Sequence, residues 1–468
     1  MKLSPDELQH ISHSEFRNVE KLKGKEVVGV STDSRTVKEG EVFFALRGAN
    51  FNGHKFLAEA FAKDALAAVV EDSADISAVA TMPLLVVKDT TVALGEFARY
   101  YRRKFSIPVI AVGGSNGKTT TKDMIAKVLA TKYRVLSTDG NLNNHIGVPQ
   151  TLFRLEKKHH IAVVEIGTNH PGEIRSLCDI LEPTHGVVTN VGREHLEFFK
   201  GLAAIAKEEG ALFDKLHKLK GAVAFVNADD RHVVAKAKKL KTKVTFSFTS
   251  KKASVIGKVL AANAAGCAKF SFSAKSAKRA TTVQLALPGE HNVWNALCAA
   301  TVGLTFQIAP RSIKAALENF QPAGKRMELL DIAGVLVYND TYNANPDSMS
   351  AALRTLASAN VPGKRIAVLA DMKELGAASL DEHVRIGRDL SKLTIDYLLT
   401  FGDEARSLHD ASSIKNKIHY EHKNMLAEYL AELVAPGDAV LVKGSRGMRM
   451  EDVVAFLQER LTAAHAHG

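Results

Sequence analysis

The sequence predicts an α/β protein of three domains, and three observations carry that reading. A mixed segment fills residues 1–107, where "EVFFAL" (41–46) and "LAAVVED" (66–72) read as buried strands around a helical stretch, "GHKFLAEAFAKD" (53–64). From residue 108 short apolar runs alternate with helical stretches, which implies a parallel sheet covered on both faces. The Pro- and Gly-bearing stretch "FQPAGKRMEL" (320–329) then separates a second alternating set. The expected domains are 1–107 (mixed α/β), 108–320 (central, parallel sheet) and 321–468 (Rossmann-like α/β).

In the central domain the strand runs are "VIAVGG", "IAVVEIG" (161–167), "HGVVTNVG" (185–192) and "GAVAFVN" (221–227). Residues 243–287 are richer in strand: "KVTFSF", "KFSFSA" and "TTVQLALPG" alternate with the period of two that puts successive side chains on opposite faces. "GEHNVWNALCAATVGL" (289–304) returns to helical spacing. The C-terminal strands are "VLVYND", "KRIAVLADM", "IDYLLTFG" and "DAVLVKGS".

Composition removes several function classes. A chain of 468 residues with 46% hydrophobic and 24% charged content is globular, and too long for one core. No apolar run reaches the length of a membrane span, and "MKLSPDELQH" lacks an apolar signal core. Cys178, Cys267 and Cys298 form neither a disulfide framework nor a CxxC knuckle. The expectation is a cytoplasmic protein without stable membrane insertion. Net charge is +11, yet the densest run, "KAKKLKTK" (236–243), has no interleaved aromatics and reads as a solvated helix face. Nucleic-acid binding is therefore not expected; a protein handling phosphorylated, carboxylate-rich small molecules has the same balance.

The sharpest motif is "GGSNGKTTTKDM" (113–124). It lies between an apolar strand and a helix with apolar spacing at Met124, Ile125, Val128 and Leu129, so the free N–H groups and positive end of that helix face the loop. Gly114, Ser115, Asn116, Gly117, Lys118, Thr119 and Thr120 are the expected nucleotide-binding residues. Lys118 would reach the β- and γ-phosphates of ATP or GTP, and Thr119 would place its hydroxyl on Mg²⁺. The strict pattern asks for glycine where this chain has Val112.

Three further residues suit a metal–phosphate centre. Glu165 ends an apolar strand, and in an open α/β sheet that end faces the ligand crevice. Mg²⁺ prefers oxygen ligands, which makes Glu165 a candidate. His195 follows the end of the next strand run. Leu202, Ile205, Glu209, Leu212 and Leu216 then recur at helical steps, which puts Glu209 in an apolar stripe where an ionised group is costly unless paired or metal-bound. Lys207 points roughly opposite.

With "STDSRTVKEGEVFFALRGANFNGHKF", "GGSNGKTTTKDM", "GNLNNHIGVP", "VEIGTNHPGEI", "TNVGREHLE", "GEHNVWNA", "NDTYNANPDSM", "ADMKELG" and "VKGSRGM" in place, the chain resembles the Mur ligase family over nearly its whole length. The family consists of ATP-dependent amide-forming enzymes of bacterial cell-wall synthesis. The resemblance implies that ATP and Mg²⁺ serve as cofactors and that UDP-N-acetylmuramoyl-tripeptide and D-alanyl-D-alanine are the substrates of a monomeric enzyme. Within the family, ligation of a single amino acid, or folylpolyglutamate synthesis, stays open as the alternative. Outside it stands a phosphate-loop nucleotide switch, which leaves the first and third domains without a purpose.

By position, the resemblance implies that the N-terminal domain binds the UDP-sugar through Ser31, Asp33, Ser34 and Arg35 and through Asn52, Gly53 and His54. Asn143, Asn144 and His145 would meet the same substrate. Asn292 and Asn295 would contact adenine, each amide offering a donor and an acceptor. Arg326 would stabilise the γ-phosphate, and Asp340 would bind the nucleotide from the third domain. Tyr342, Asn343, Asn345 and Pro346 would face the dipeptide or the nucleotide, and Lys443, Ser445 and Arg446 a carboxylate or phosphate. Lys118, Glu165, His195, Glu209 and Arg326 form the expected catalytic set, with Thr119, Glu165, His195 and Glu209 on the metals. Many members carry a carbamylated lysine where ungapped alignment puts Glu209, so Glu209 is expected to supply that carboxylate directly. "QPAG" (321–324) is the expected hinge on which the third domain swings over ATP.

Overall fold

The apolar runs become strands where their pattern predicts them, and the chain they belong to divides into two compact units. The computed structural model describes residues 1–12, 14–48, 50–322 and 324–466. Ala323, within the expected hinge, lies outside the described residues. Unit 1 comprises Met1–Ala111, Tyr133–Thr168 and Gly172–Thr184; unit 2 comprises Val112–Lys132, Asn169–Pro171 and His185–Gly468.

In unit 1 a five-stranded sheet has the order Glu15–Arg17, Leu84–Val87, Ala67–Glu71, Glu41–Phe44, Gly29–Ser31. It is parallel except for its first strand. Phe43, Ala68, Val70 and Leu84 are buried between it and the helix Leu57–Ala62. That helix is shorter than its sequence pattern: Asn52 caps a 3₁₀ turn over Gly53–Phe56 before α-geometry begins. Helix Thr90–Arg103 starts where the Asp89 carboxylate accepts the N–H groups of Thr91 and Val92, a cap worth about 1 kcal/mol. It buries Phe97 and Tyr101 against Phe153. The strands Val135–Ser137 and Ile161–Glu165 pair in parallel within the same unit.

Unit 2 holds two sheets. The first runs Thr281–Pro288, Cys267–Ala274, Val255–Ala262, Lys243–Ser247, Val223–Asn227, His185–Val188. Its last four members in that order are parallel, and the two at the other end are antiparallel. The strand Val255–Ala262 is absent from the sequence reading because it lacks alternation; its second half, from Lys258 on, is exposed on both faces. Helices Lys118–Ala130 and His291–Thr305 pack on one another, with Gly303 admitting the Val128 and Ile313 side chains. The second sheet, Glu328–Ile332, Val335–Asp340, Ala439–Lys443, Arg365–Ala370, Tyr397–Phe401, Asn416–Tyr420, is parallel beyond its first hairpin and encloses its own core of Val337, Ile366, Val368 and Val440.

The stripe from Leu202 to Leu216 lies on two helices, Leu202–Glu209 and Ala211–Lys218, joined at Gly210. The break leaves the stripe intact: Ile205, Glu209, Leu212 and Leu216 are buried and Lys207 is exposed.

His185 opens one of the parallel strands beside the rings of Phe225 and Phe306, and burial pulls its imidazole down to about 4 from an ordinary 6.5. Between those values the unfolded chain takes up a proton that the folded protein refuses, so stability falls as pH drops from 6.5 towards 4. Thermal melting across that range should show the loss, and His185→Phe should reduce it, the remainder including His291, which burial lowers likewise to about 4.

Candidate active site

The phosphate loop leaves the strand Val109–Gly113, whose side chains are fully buried. Val112, where the strict pattern has glycine, is still inside that strand, so the turn needs no glycine until Gly114. Gly114 has φ +114°, and a Cβ there would lie 2.3 Å from Thr189 Oγ1. Gly117 has φ +76° and caps the helix Lys118–Ala130 with no side-chain acceptor and no acidic residue in the first turn. That positive, carboxylate-free end is an anion site by construction.

Neighbouring loops fix the shape of the turn. Ser115 Oγ accepts the Gly192 N–H at 2.8 Å, and Asn190 Oδ1 accepts the Asn116 N–H at 3.1 Å. The Asn116 carbonyl receives Thr189 Oγ1 and Asn190 Nδ2 at 2.7 and 2.9 Å. Thr119 is buried in the first turn of the helix, and Thr120 is half-buried beside it. From behind, Asn295 Oδ1 accepts the Thr121 hydroxyl at 3.0 Å, while its Nδ2 donates to Asn292 Oδ1. Asn292 Nδ2 in turn donates to the Pro288 carbonyl. The two asparagines thus tie the helix His291–Thr305 to the phosphate-loop helix.

Beneath the loop two carboxylates are shut away from water. Glu209 is wholly buried and its Oε2 accepts the Gly114 N–H at 2.6 Å. Glu194, 3% exposed, places Oε2 3.2 Å from Lys118 Nζ. The second oxygen of each, Oε1, is buried without a hydrogen-bond partner. Burial, reinforced by the charge of Glu194, pushes the Glu209 carboxyl up to about 8 against the pull of Lys118. With its carboxyl raised that far Glu209 keeps a proton at neutral pH and Lys118 balances Glu194; a divalent ion can replace that proton, and the free oxygens are the donors that Mg²⁺ takes, so the residues fit the ion that a nucleotide would bring. Sequence reading missed Glu194, although its signal was present: an acidic residue beside His195 just past a strand end.

The C-terminal part of unit 2 reaches into the same place. Asn345 caps the helix Pro346–Ser358 through Oδ1 and donates Nδ2 to Asn116 Oδ1 at 2.9 Å. Asp347 accepts the Arg193 N–H at 2.6 Å and lies 3.3 Å from its guanidinium, which also meets Glu382. His195 Nδ1 stands 2.8 Å from Glu374 Oε2, off-axis for a hydrogen bond, and holds that carboxyl below its ordinary value. The backbone of His195 is left-handed, at φ 45°. Asp347, Glu374 and Arg193 escaped sequence reading because their partners are more than 150 residues away.

Arg326 stacks 3.7 Å from the centre of the Tyr342 ring, and Arg446 approaches it at 5.6 Å. Asp340 receives the Met327 N–H and pairs with the buried Lys443 at 2.5 Å. Lys443 also donates to the Asn343 carbonyl, and the Arg446 N–H donates to Asn343 Oδ1. Ser445 Oγ bonds the Ala344 carbonyl and accepts the Lys373 N–H. These residues therefore form one network at the ends of parallel strands.

Unit 1 contains the other expected residues. Glu165 is 1% exposed; Oε1 accepts from Asn143 Nδ2 at 2.7 Å and Oε2 is buried without a partner. Asn144 caps the helix Gly147–Phe153 through the Ile146 and Gly147 N–H groups, and His145 is exposed. Ser31, Thr32 and Asp33 line a cavity of about 710 Å³ with Gln150, Arg154 and Lys158. Arg35 clasps Asp33 and holds its carboxyl down at about 2. Ser34 donates to Glu59. His54 Nε2 accepts the Glu71 N–H, so Nδ1 carries the proton given to Asn52 Oδ1. A Cβ on Gly53 would strike the Leu46 backbone.

Three family models match the chain: "Mur ligase family, catalytic domain" over residues 26–102, "Mur ligase middle domain" over 112–303, and "Mur ligase, glutamate ligase domain" over 325–446. The UDP-N-acetylmuramoyl-tripeptide–D-alanyl-D-alanine ligase of Escherichia coli is 36% identical, covering 94% of this chain and 96% of its own. A crystal structure of MurF from Acinetobacter baumannii aligns with TM-score 0.89 and 32% identity, covering 98% of this chain and 99% of the other. MurF from Thermotoga maritima, solved in complex with ADP, aligns with TM-score 0.82 and 29% identity, covering 94% and 99%.

Asp347→Ala removes the acceptor that pins the Arg193 amide. Hydrogen exchange at that amide should quicken at least tenfold, about the 1.5 kcal/mol or more that a charged acceptor contributes, and phosphate release should slow in step.

Proposed function

The chain belongs to the Mur ligase family, and from that premise we propose that it is the ATP-dependent ligase that adds D-alanyl-D-alanine to UDP-N-acetylmuramoyl-tripeptide in peptidoglycan synthesis. The observation that carries the reading is the phosphate loop with Lys118 set above the buried Glu194–Glu209 pair and tied to the third domain through Asn116 and Asn345. Relatives at about one-third identity over nearly the whole chain bear this activity in their names. The solved ligases that add a single amino acid resemble this chain below one-fifth identity, as does the solved folylpolyglutamate synthase.

A carboxylate resists amide formation because its leaving group would be oxide. The tripeptide carboxylate attacks the γ-phosphorus of ATP, the bond to the β-bridging oxygen breaks, and ADP departs from an acyl phosphate. The dipeptide amine then attacks the acyl carbon, loses a proton, and the tetrahedral intermediate expels phosphate. Lys118 offsets charge on the transferring group, and Arg326 is the second cation for that task. Thr119, Glu165, Glu194, His195 and Glu209 are the residues that would hold Mg²⁺, which when bound supplies positive charge to the phosphate oxygens.

Domain limits of 1–107, 108–320 and 321–468 follow the division of labour: the first for the UDP-sugar, the second for ATP, the third for the dipeptide. In the first, Ser31, Asp33, Ser34, Arg35, Asn52, Gly53 and His54 border the sugar nucleotide, joined by Asn143, Asn144 and His145. Asn292 and Asn295 support adenine. Asp340, Tyr342, Asn343, Asn345, Lys443, Ser445 and Arg446 serve the dipeptide and the nucleotide. We assign the enzyme to the cytoplasm as a monomer.

A phosphate-release assay offering each UDP-sugar peptide with each amine tests the reading. Release is expected with the tripeptide nucleotide plus D-alanyl-D-alanine, and Lys118→Ala should abolish it. Release that follows a single amino acid instead would assign the chain to the sister reaction. Glu209 takes the place of a carbamylated lysine, so activity should be indifferent to bicarbonate and mass spectrometry should find Lys207 unmodified. A carbamate on Lys207 would overturn that assignment.

A further inference from the structure

Between Arg231 and Gly289 the chain has thirteen Lys and Arg residues and no Asp or Glu, although the whole chain has 62 and 51. The net positive charge therefore resides in this segment alone, and the remainder is slightly acidic. All thirteen cations are exposed, and none meets a carboxylate among the described residues. Self-repulsion of this kind carries no advantage for the fold and points to an external anion.

The fold gathers most of these charges at one end of a sheet. The run Lys236–Lys243 closes the helix Arg231–Lys236 and opens the strand Lys243–Ser247, with Lys243 Nζ bonded back to the Ala237 carbonyl. Two residues along that strand, Thr245 and Ser254 exchange hydrogen bonds, which lays the turn carrying Lys251 and Lys252 alongside. The Lys275 N–H donates to the Ser254 carbonyl and brings in a third turn, with Lys278 and Arg279.

We propose that this surface adsorbs the protein to anionic lipid headgroups, electrostatically and without insertion. Eleven of the thirteen cations are lysine, a point charge suited to a diffuse anionic surface, whereas arginine's fork suits bidentate phosphate and base contacts. The aromatic rings of the segment do not offer a stacking platform for bases: Phe246, Phe270 and Phe272 are buried, and Phe248 packs edge-on against Trp294. No helix among the described residues is long and apolar enough to cross a membrane.

Co-sedimentation of the full chain with phosphatidylglycerol–phosphatidylcholine vesicles, against phosphatidylcholine alone, tests this. Binding is expected only to the anionic vesicles and should be reversed by salt. Lys251→Gln, Lys252→Gln, Lys275→Gln and Lys278→Gln in combination should weaken partitioning by roughly fivefold per lysine, with phosphate release and melting temperature unchanged. Equal binding to both vesicle types, no binding, or wild-type binding by the four-lysine variant would overturn the proposal. So would tighter binding to a mixed-sequence DNA duplex at the same salt, which would give the surface to nucleic acid.

Discussion

Two carboxyl groups and one ammonium are buried together under a phosphate loop, and their charges balance only while Glu209 holds a proton. Glu194 and Glu209 each spend one oxygen on a neighbour, Lys118 Nζ and the Gly114 amide respectively, and keep the other dry and unbonded. A buried orphan of that kind costs about 1–3 kcal/mol, and more when charged. A divalent ion that displaces the Glu209 proton would satisfy both free oxygens. The surroundings follow from that constraint: glycines that let the backbone close over the acids, a helix end left without a carboxylate, and loops that hold the turn rigid while it waits.

That rigidity is distributed. The loop 189–193 grips the phosphate loop from one side, and Asn295 braces its helix from another. The C-terminal segment 345–382 grips the 189–195 loop in its turn. A continuous set of contacts thus runs from the segment 345–382 through the 189–195 loop to the phosphate loop. Any free energy that couples binding at its two ends is shared equally by both, since linkage is reciprocal.

Much of this was legible without coordinates. The strand-end position of Glu165 and the inward placement of Glu209 follow from periodicity, and the phosphate loop from its Gly-Lys-Thr ending; the strand expected over 185–192 stops at Val188, so His195 lies in a loop well beyond it. The single helix expected from Leu202 to Leu216 breaks at Gly210, yet the stripe survives because the break costs the pattern no change of face. The strand Val255–Ala262 was invisible, since half of it packs against nothing and alternation had no reason to arise. Asp347, Glu374 and Glu382 were equally hidden: no local pattern marks a residue whose partner lies more than 150 positions away. Asn292 and Asn295 are expected from the family resemblance to contact adenine, and the hydrogen bonds by which they brace the phosphate-loop helix carry no local signal.

Asn345 uses both ends of one small amide, Oδ1 for its own helix and Nδ2 for Asn116. Not every residue that commonly begins a helix can do both. Serine keeps the first contact but is too short for the second. Aspartate could make both if Asn116 turned its amide, at the expense of a negative charge at the mouth of a triphosphate site. An ordinary-looking helix start thereby fastens two distant segments of the chain with a single side chain.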